Sequence, residues 1–111
     1  MTERRISSEV RQEERVYAPV HPGEIIEQEW LEPLGMTSYQ LAKAMGVRPP
    51  RAYEVVSGKR AVTADTALRL ERALGFSAQF WMRLQAQYDL EMIEWHGGAQ
   101  IEEQATPLIH D

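Results

Sequence analysis

Side chains that can bind phosphates and base edges are concentrated between residues 36 and 60. This stretch holds five basic residues and one acidic residue, whereas the whole chain of 111 residues has a net charge of −5. Because salt screens charges over about 10 Å, a local basic face on an acidic protein still attracts a polyanion. The stretch therefore points to nucleic acid as a ligand, and charge alone is equally compatible with a solvated face. The charged residues are Lys43, Arg48, Arg51, Lys59, Arg60 and Glu54.

Two short helices joined by a glycine turn must position these side chains. Thr37 and Gln40 have the spacing of a capping box, which predicts a helix that begins here and ends at Gly46. Pro50 disfavours helical geometry at Pro49, so the next helix begins near Pro50. A tight glycine turn between two short helices is typical of the helix-turn-helix, whose second helix enters the major groove of DNA.

The second of these helices is predicted to bury Ala52, Val55 and Val56 and to expose its opposite side. Exposed there, Arg51 can donate two hydrogen bonds to a guanine edge, and the flanking basic residues can position the protein on phosphates. Backbone N–H and polar groups at the start of the helix that begins at Thr37 can clamp one phosphate. The predicted DNA-binding residues are Thr37, Ser38, Gln40, Arg48, Pro49, Pro50, Arg51, Tyr53, Glu54, Lys59 and Arg60.

Several of these residues also have a purely structural explanation. A glycine between short helices is common in helical bundles, and Pro49-Pro50 can serve only as a stiff helix start. Glu54 can accept a hydrogen bond from cytosine, or it can simply pair with Arg51 on the surface. The DNA-binding interpretation is favoured because the turn, the basic excess and the outward polar residues fall within one 25-residue window.

Three further helices are predicted around this pair, and no strand pattern competes with them. The first begins at Pro22 and is stopped by Pro33 to Gly35. Another runs from a Thr63 cap to Gly75. The last begins after Ser77 and is broken by Gly97-Gly98. The sequence therefore predicts an all-α, five-helix domain over residues 19–92, with a flexible segment at 1–18 and an acidic tail at 93–111.

Other classes of protein are disfavoured by what the sequence lacks. The chain has no cysteine, and its three histidines, His21, His96 and His110, are scattered, so no metal site is expected. No glycine-rich phosphate loop or activated nucleophile is recognisable, so neither a cofactor nor enzymatic activity is predicted. No signal peptide or apolar run of about 20 residues is present, which makes the cytosol the expected location and excludes a membrane partner.

From about residue 20 to residue 92 the sequence resembles the HigA family of antitoxins. The resemblance is carried by His21-Pro22-Gly23-Glu24, Leu31-Glu32-Pro33-Leu34-Gly35-Met36-Thr37, Leu41-Ala42-Lys43-Ala44-Met45-Gly46-Val47, Glu54-Val55-Val56-Ser57-Gly58-Lys59-Arg60, Thr63-Ala64-Asp65-Thr66-Ala67-Leu68-Arg69-Leu70, Phe80-Trp81, Leu84-Gln85 and Tyr88-Asp89-Leu90. It implies a lambda-repressor-like fold of five helices and a homodimer. It also implies binding to a palindromic operator in the promoter of the protein's own operon, and neutralisation of a HigB-like toxin that cleaves messenger RNA.

The sequence departs from the family pattern where DNA is read. Arg51 matches the family's recognition-helix arginine, but Ala52 replaces a larger aliphatic residue and Tyr53 a small polar one. Arg48 replaces a common proline. These departures affect the operator sequence rather than the mode of binding.

Two other functions remain open at this stage, and so does the dimer interface. One is a free-standing repressor without a toxin partner, and the other is an interaction module that kept the fold but lost DNA binding. Phe80, Trp81 and Tyr88 of the fifth helix are the candidate dimer contacts, although the core is the favoured position for Trp81.

Overall fold

The computed structural model describes residues 18–109, and these residues form five helices and no strand. This confirms the predicted all-α architecture. The predicted flexible segment, 1–18, lies outside the described residues except for Ala18. Within the described range, no helix is both long and apolar enough to cross a membrane. The helices are α1 (22–34), α2 (Ser38–Met45), α3 (Pro49–Val56), α4 (Ala64–Leu74) and α5 (Ala78–Gln104).

Helix α1 contains two prolines and changes helix type between them. His21 caps its start by accepting a hydrogen bond through Nδ1, and Pro22 occupies the first turn, where no N–H is needed. The backbone is π-helical over Glu27–Leu31 and returns to α-helix over Glu32–Leu34. Pro33 lacks an N–H and its ring crowds the carbonyl one turn earlier, so the wider π-helical turn lets the helix continue past it.

The core of the compact unit Val20–Tyr88 is built from the inward faces of the helices and the loop before α4. Trp81 is fully buried, so it belongs to the core, as favoured above. In the same core, the side chain of Gln85 accepts a hydrogen bond from the backbone of Val62 at 2.7 Å. The other buried apolar residues are Ile26, Leu31, Leu41, Ala42, Met45, Ala52, Val55, Val62, Ala67 and Leu70.

The other two candidate dimer contacts are half-buried within their own subunit. The ring of Phe80 lies 5.0 Å from that of Trp81 in an edge-to-face contact. The ring of Tyr88 lies 5.0 Å from the His21 ring, also edge-on. Both side chains therefore pack intramolecularly, and a role in dimerisation stays a prediction.

The end of α5 differs from the sequence-based expectation. Gly97 does leave helical geometry, with φ −163° and ψ 18°, which confirms the predicted break. The helix resumes beyond it and continues to Gln104, so α5 extends past the glycine pair that was predicted to break it. The residues that follow the break, Ala99 to Gln104, are mostly good helix formers. Described residues from Asp89 onward belong to a second compact unit, and the predicted domain boundary at residue 92 stays a prediction.

Candidate nucleic-acid interface

The start of α2 is organised by the predicted capping box. Thr37 Oγ1 accepts a hydrogen bond from the Gln40 backbone at 3.1 Å, and Gln40 Oε1 accepts one from the Thr37 backbone at 2.9 Å. Both capping contacts use side-chain oxygens as acceptors. The Thr37 hydroxyl hydrogen and the Gln40 amide N–H groups are left to donate outward, which suits a phosphate oxygen. Thr37 and Gln40 are exposed and Ser38 is half-buried.

Helix α3 exposes to solvent the side opposite Ala52 and Val55, as the sequence predicted. Arg48 is its N-cap, and two prolines form its first turn, where their missing N–H groups are tolerated. Ala52 and Val55 are buried, whereas the Tyr53 side of the helix faces solvent, with Tyr53 itself 56% exposed. The exposed side also carries Pro49 and Pro50. Helix α2 packs on α3 across the turn at Gly46.

The predicted reading residue, Arg51, points toward α4. Its Nη2 donates hydrogen bonds to Asp65 Oδ1 at 2.5 Å and to Thr66 Oγ1 at 3.0 Å. The side chain is 30% exposed, so it lies at the edge of the outward surface. The pairing of Glu54 with Arg51, considered from the sequence, was wrong because Asp65 occupies that role.

Asp65 and Arg69 together link α4 to both helices of the helix-turn-helix. Asp65 Oδ1 accepts hydrogen bonds from Arg51 of α3 and from Arg69 Nε at 2.7 Å. Arg69 Nη1 in turn donates to the backbone carbonyls of Met45 and Gly46, at 3.0 and 3.3 Å, at the end of α2. The hydrogen bond that Asp65 accepts from Arg69 and, to a smaller extent, the one from Arg51 lower the pKa of its carboxyl below the ordinary value.

Asp65 lies in the first turn of α4, and its contact with Arg51 was not predicted from the sequence. The four-residue spacing of Asp65 and Arg69 indicates an ion pair along one helix face. No sequence signal indicated the reach of Arg69 to the α2 carbonyls. That contact depends on how closely α4 packs against the turn, which is a tertiary relationship.

Glu54 organises the turn that follows α3. Arg60 donates to Glu54 Oε1 through both Nε and Nη2, at 2.9 and 2.6 Å. The backbone carbonyl of Glu54 accepts hydrogen bonds from the N–H groups of Lys59 and Arg60, at 2.8 and 3.1 Å. The Lys59 side chain is exposed, and it extends from a turn whose backbone is fixed.

The start of α1 holds α3 from the inner side. A Cβ atom placed on Gly23 would lie 2.1 Å from the carbonyl oxygen of Val55 and 2.5 Å from that of Val56. Only glycine permits backbones to approach this closely. Gly58, with φ 84°, packs against the His21 ring. The start of α1 therefore contacts the inner side of α3 and leaves the opposite side of α3 facing solvent.

Comparison with known proteins identifies this arrangement. A family model described as helix-turn-helix matches residues 28–81. Virulence-associated protein I of Dichelobacter nodosus is 51% identical over 75 residues, which cover 68% of the chain and 69% of that protein. Antitoxin HigA-1 of Vibrio cholerae is 42% identical over 72 residues, which cover 65% of the chain and 68% of the antitoxin.

A solved structure extends the similarity to the arrangement of the helices. The Pseudomonas aeruginosa antitoxin HigA, determined with the higBA promoter, superposes with a TM-score of 0.77 at 41% identity. The match covers 82% of this chain and 99% of that one. The chain therefore belongs to the HigA family of helix-turn-helix antitoxins.

Proposed function

We propose that the protein binds an operator in its own promoter as a homodimer and represses its operon. The DNA face consists of the exposed polar groups at the start of α2, the outward side of α3 and the turn after it. Its proposed contacts are the eleven residues named from the sequence: Thr37, Ser38, Gln40, Arg48, Pro49, Pro50, Arg51, Tyr53, Glu54, Lys59 and Arg60.

One observation carries this proposal: the outer side of α3 is covered by no other described element, and exposed basic side chains and hydrogen-bond donors lie around it. Arg48 and Lys59 are exposed at the two ends of α3, and Tyr53 is exposed between them. A helix of this width fits the major groove, which is about 12 Å wide. The similarity to an antitoxin solved with promoter DNA supports the same mode of binding.

A dimer is part of the proposal because one such helix reads only a few base pairs. Two-fold operators match two-fold proteins, with half-sites about one helical turn apart. The domain proposed to bind DNA spans residues 19–92, and 1–18 and 93–111 flank it. The protein would act in the cytosol by binding rather than by catalysis.

The DNA-binding function is tested by fluorescence anisotropy with a fragment of the protein's own upstream region. We expect specific binding whose affinity falls steeply with salt, because each phosphate contact releases condensed counterions. A scrambled fragment of equal length serves as the control. Equal affinity for both fragments at every salt concentration would refute operator recognition.

The second part of the proposal is neutralisation of a HigB-like toxin that cleaves messenger RNA. The relatives named as HigA antitoxins support this role. Co-expression with the product of the adjacent small gene, followed by co-purification and a growth assay, tests it. If the neighbouring product neither binds nor inhibits growth, the alternative function, a free-standing repressor, replaces this part.

A further inference from the structure

We propose that Asp65 is a specificity-determining residue that competes with DNA for the reading arginine, Arg51. The inference rests on the DNA-binding function proposed above and adds a residue outside the predicted DNA face. Asp65 belongs to α4, yet its Oδ1 accepts a hydrogen bond from Arg51 Nη2 at 2.5 Å. The competition follows from which guanidinium nitrogen is occupied.

The guanidinium group of Arg51 cannot keep its present hydrogen bonds and also make a bidentate contact with guanine. A guanidinium offers two pairs of parallel N–H groups, one on Nη1 and Nη2 and the other on Nε and Nη2. Both pairs include Nη2, and reading N7 and O6 of guanine uses one pair. Nη2 already donates to two acceptors, Asp65 Oδ1 and, at 3.0 Å, Thr66 Oγ1. Arg51 must therefore release at least one of them to read a base.

Release of Arg51 leaves Asp65 paired. Arg69 Nε remains 2.7 Å from the same carboxylate oxygen and stays on α4. The Arg51–Asp65 contact is partly exposed, with 30% of the arginine side chain and 59% of the aspartate side chain accessible. Partly exposed ion pairs are weak enough to be exchanged for a better partner. Asp65 is thus a competitor that DNA can displace rather than a fixed anchor.

The expected consequence is that Arg51 leaves Asp65 only where the DNA offers it a better acceptor. On DNA without a suitable guanine, Arg51 remains on Asp65 and Thr66, and phosphate contacts alone hold the protein. On the operator, two acceptors of guanine replace the intramolecular acceptors. Removing the carboxylate should therefore strengthen operator binding, and only when Arg51 is present.

The test is a double-mutant cycle with Asp65→Asn and Arg51→Ala in the full chain, measured by anisotropy on the upstream fragment and on scrambled DNA. Glu71→Gln is the charge-matched control, because Glu71 also lies on α4, whereas the acceptors of Arg51 are Asp65 and Thr66. With Arg51 present, we expect Asp65→Asn to tighten operator binding about two- to fivefold beyond the control. In the Arg51→Ala background, the gain should not exceed that of the control.

A second variant keeps the charge unchanged. Thr66→Val removes the other acceptor of Arg51 Nη2 and should produce a smaller gain on the operator that also requires Arg51. Weaker operator binding by Asp65→Asn, or equal gains with and without Arg51, would overturn the competition and leave operator binding intact. If the unmodified protein does not discriminate the upstream fragment from scrambled DNA, the proposed function fails and this inference fails with it.

Discussion

Gly23 lies directly beneath the carbonyl of Val55, so close that an added Cβ would be 2.1 Å from the oxygen. Neither backbone can yield easily, because Gly23 is in the first turn of α1 and Val55 is in α3. We expect Gly23→Ala to lower the free energy of unfolding by about 1–3 kcal/mol or more, as overpacking does. Urea denaturation followed by circular dichroism measures the change.

A matched glycine substitution shows whether that loss is due to contact. A Cβ on Gly97 would meet no atom within 4 Å, so Gly97→Ala should leave the denaturation midpoint unchanged or raise it. If both substitutions destabilise equally, the close approach of α1 and α3 is not the cause.

Truncation of Arg51 and truncation of Lys59 should weaken DNA binding in different ways. Arg51→Ala should weaken operator binding by about 1–3 kcal/mol and relax specificity, because the arginine is proposed to read a base edge. Lys59→Ala should weaken binding to all sequences alike and reduce the salt slope by about 1, as a phosphate contact does. Affinities for operator and scrambled DNA at several salt concentrations distinguish the two. Equal losses on both DNAs for Arg51→Ala would contradict its reading role.

Gln85 should contribute to stability through a buried hydrogen bond to the loop before α4. Its Oε1 accepts from the Val62 N–H at 2.7 Å inside the core. Gln85→Met keeps the volume but leaves that N–H without this acceptor, which typically costs about 1–3 kcal/mol. Gln79→Met, at an exposed position on the same helix, is the control for thermal denaturation. A control variant as unstable as Gln85→Met would argue against the buried hydrogen bond.

The stability contributed by Asp65 should depend on pH. Because Arg69 and Arg51 lower the pKa of its carboxyl in the folded state, the folded protein holds this proton less tightly than the unfolded chain does. The stabilisation is therefore complete above the ordinary aspartate pKa and is lost as pH falls through the lowered value. Urea midpoints for Asp65→Asn and the unmodified protein should differ at neutral pH and converge in acid. A difference that persists unchanged at low pH would count against this ion pair.

The helices were predictable because their ends carry local chemical signals. Thr37 and Gln40 define the start of α2, and Gly46 defines its end, without any information about the rest of the chain. The buried and exposed sides of α3 follow from the spacing of its apolar residues. The helical segment after Gly97 was missed because a glycine pair was taken as a complete stop, although the backbone breaks at only one residue.

The partners of the charged groups were not predictable. Asp65 and Arg51 are 14 residues apart on different helices, and Arg69 reaches the α2 carbonyls from 23 and 24 residues away. Such contacts depend on the angles between packed helices, which no local pattern encodes. The residues proposed for the DNA face were chosen from the sequence and their role stays a prediction, whereas the partner of Arg51 could not be predicted.

The support of α3 by Gly23 has a consequence for how such repressors diverge. The inner backbone of the helix is fixed by the close approach of α1, whereas Pro49, Pro50 and Tyr53 project away from that contact. If these outward side chains read the operator as proposed, exchanging them would change which promoter is recognised without disturbing the backbone of α3. Duplicated copies in one cell can thus acquire separate promoters and avoid cross-regulation through a few substitutions.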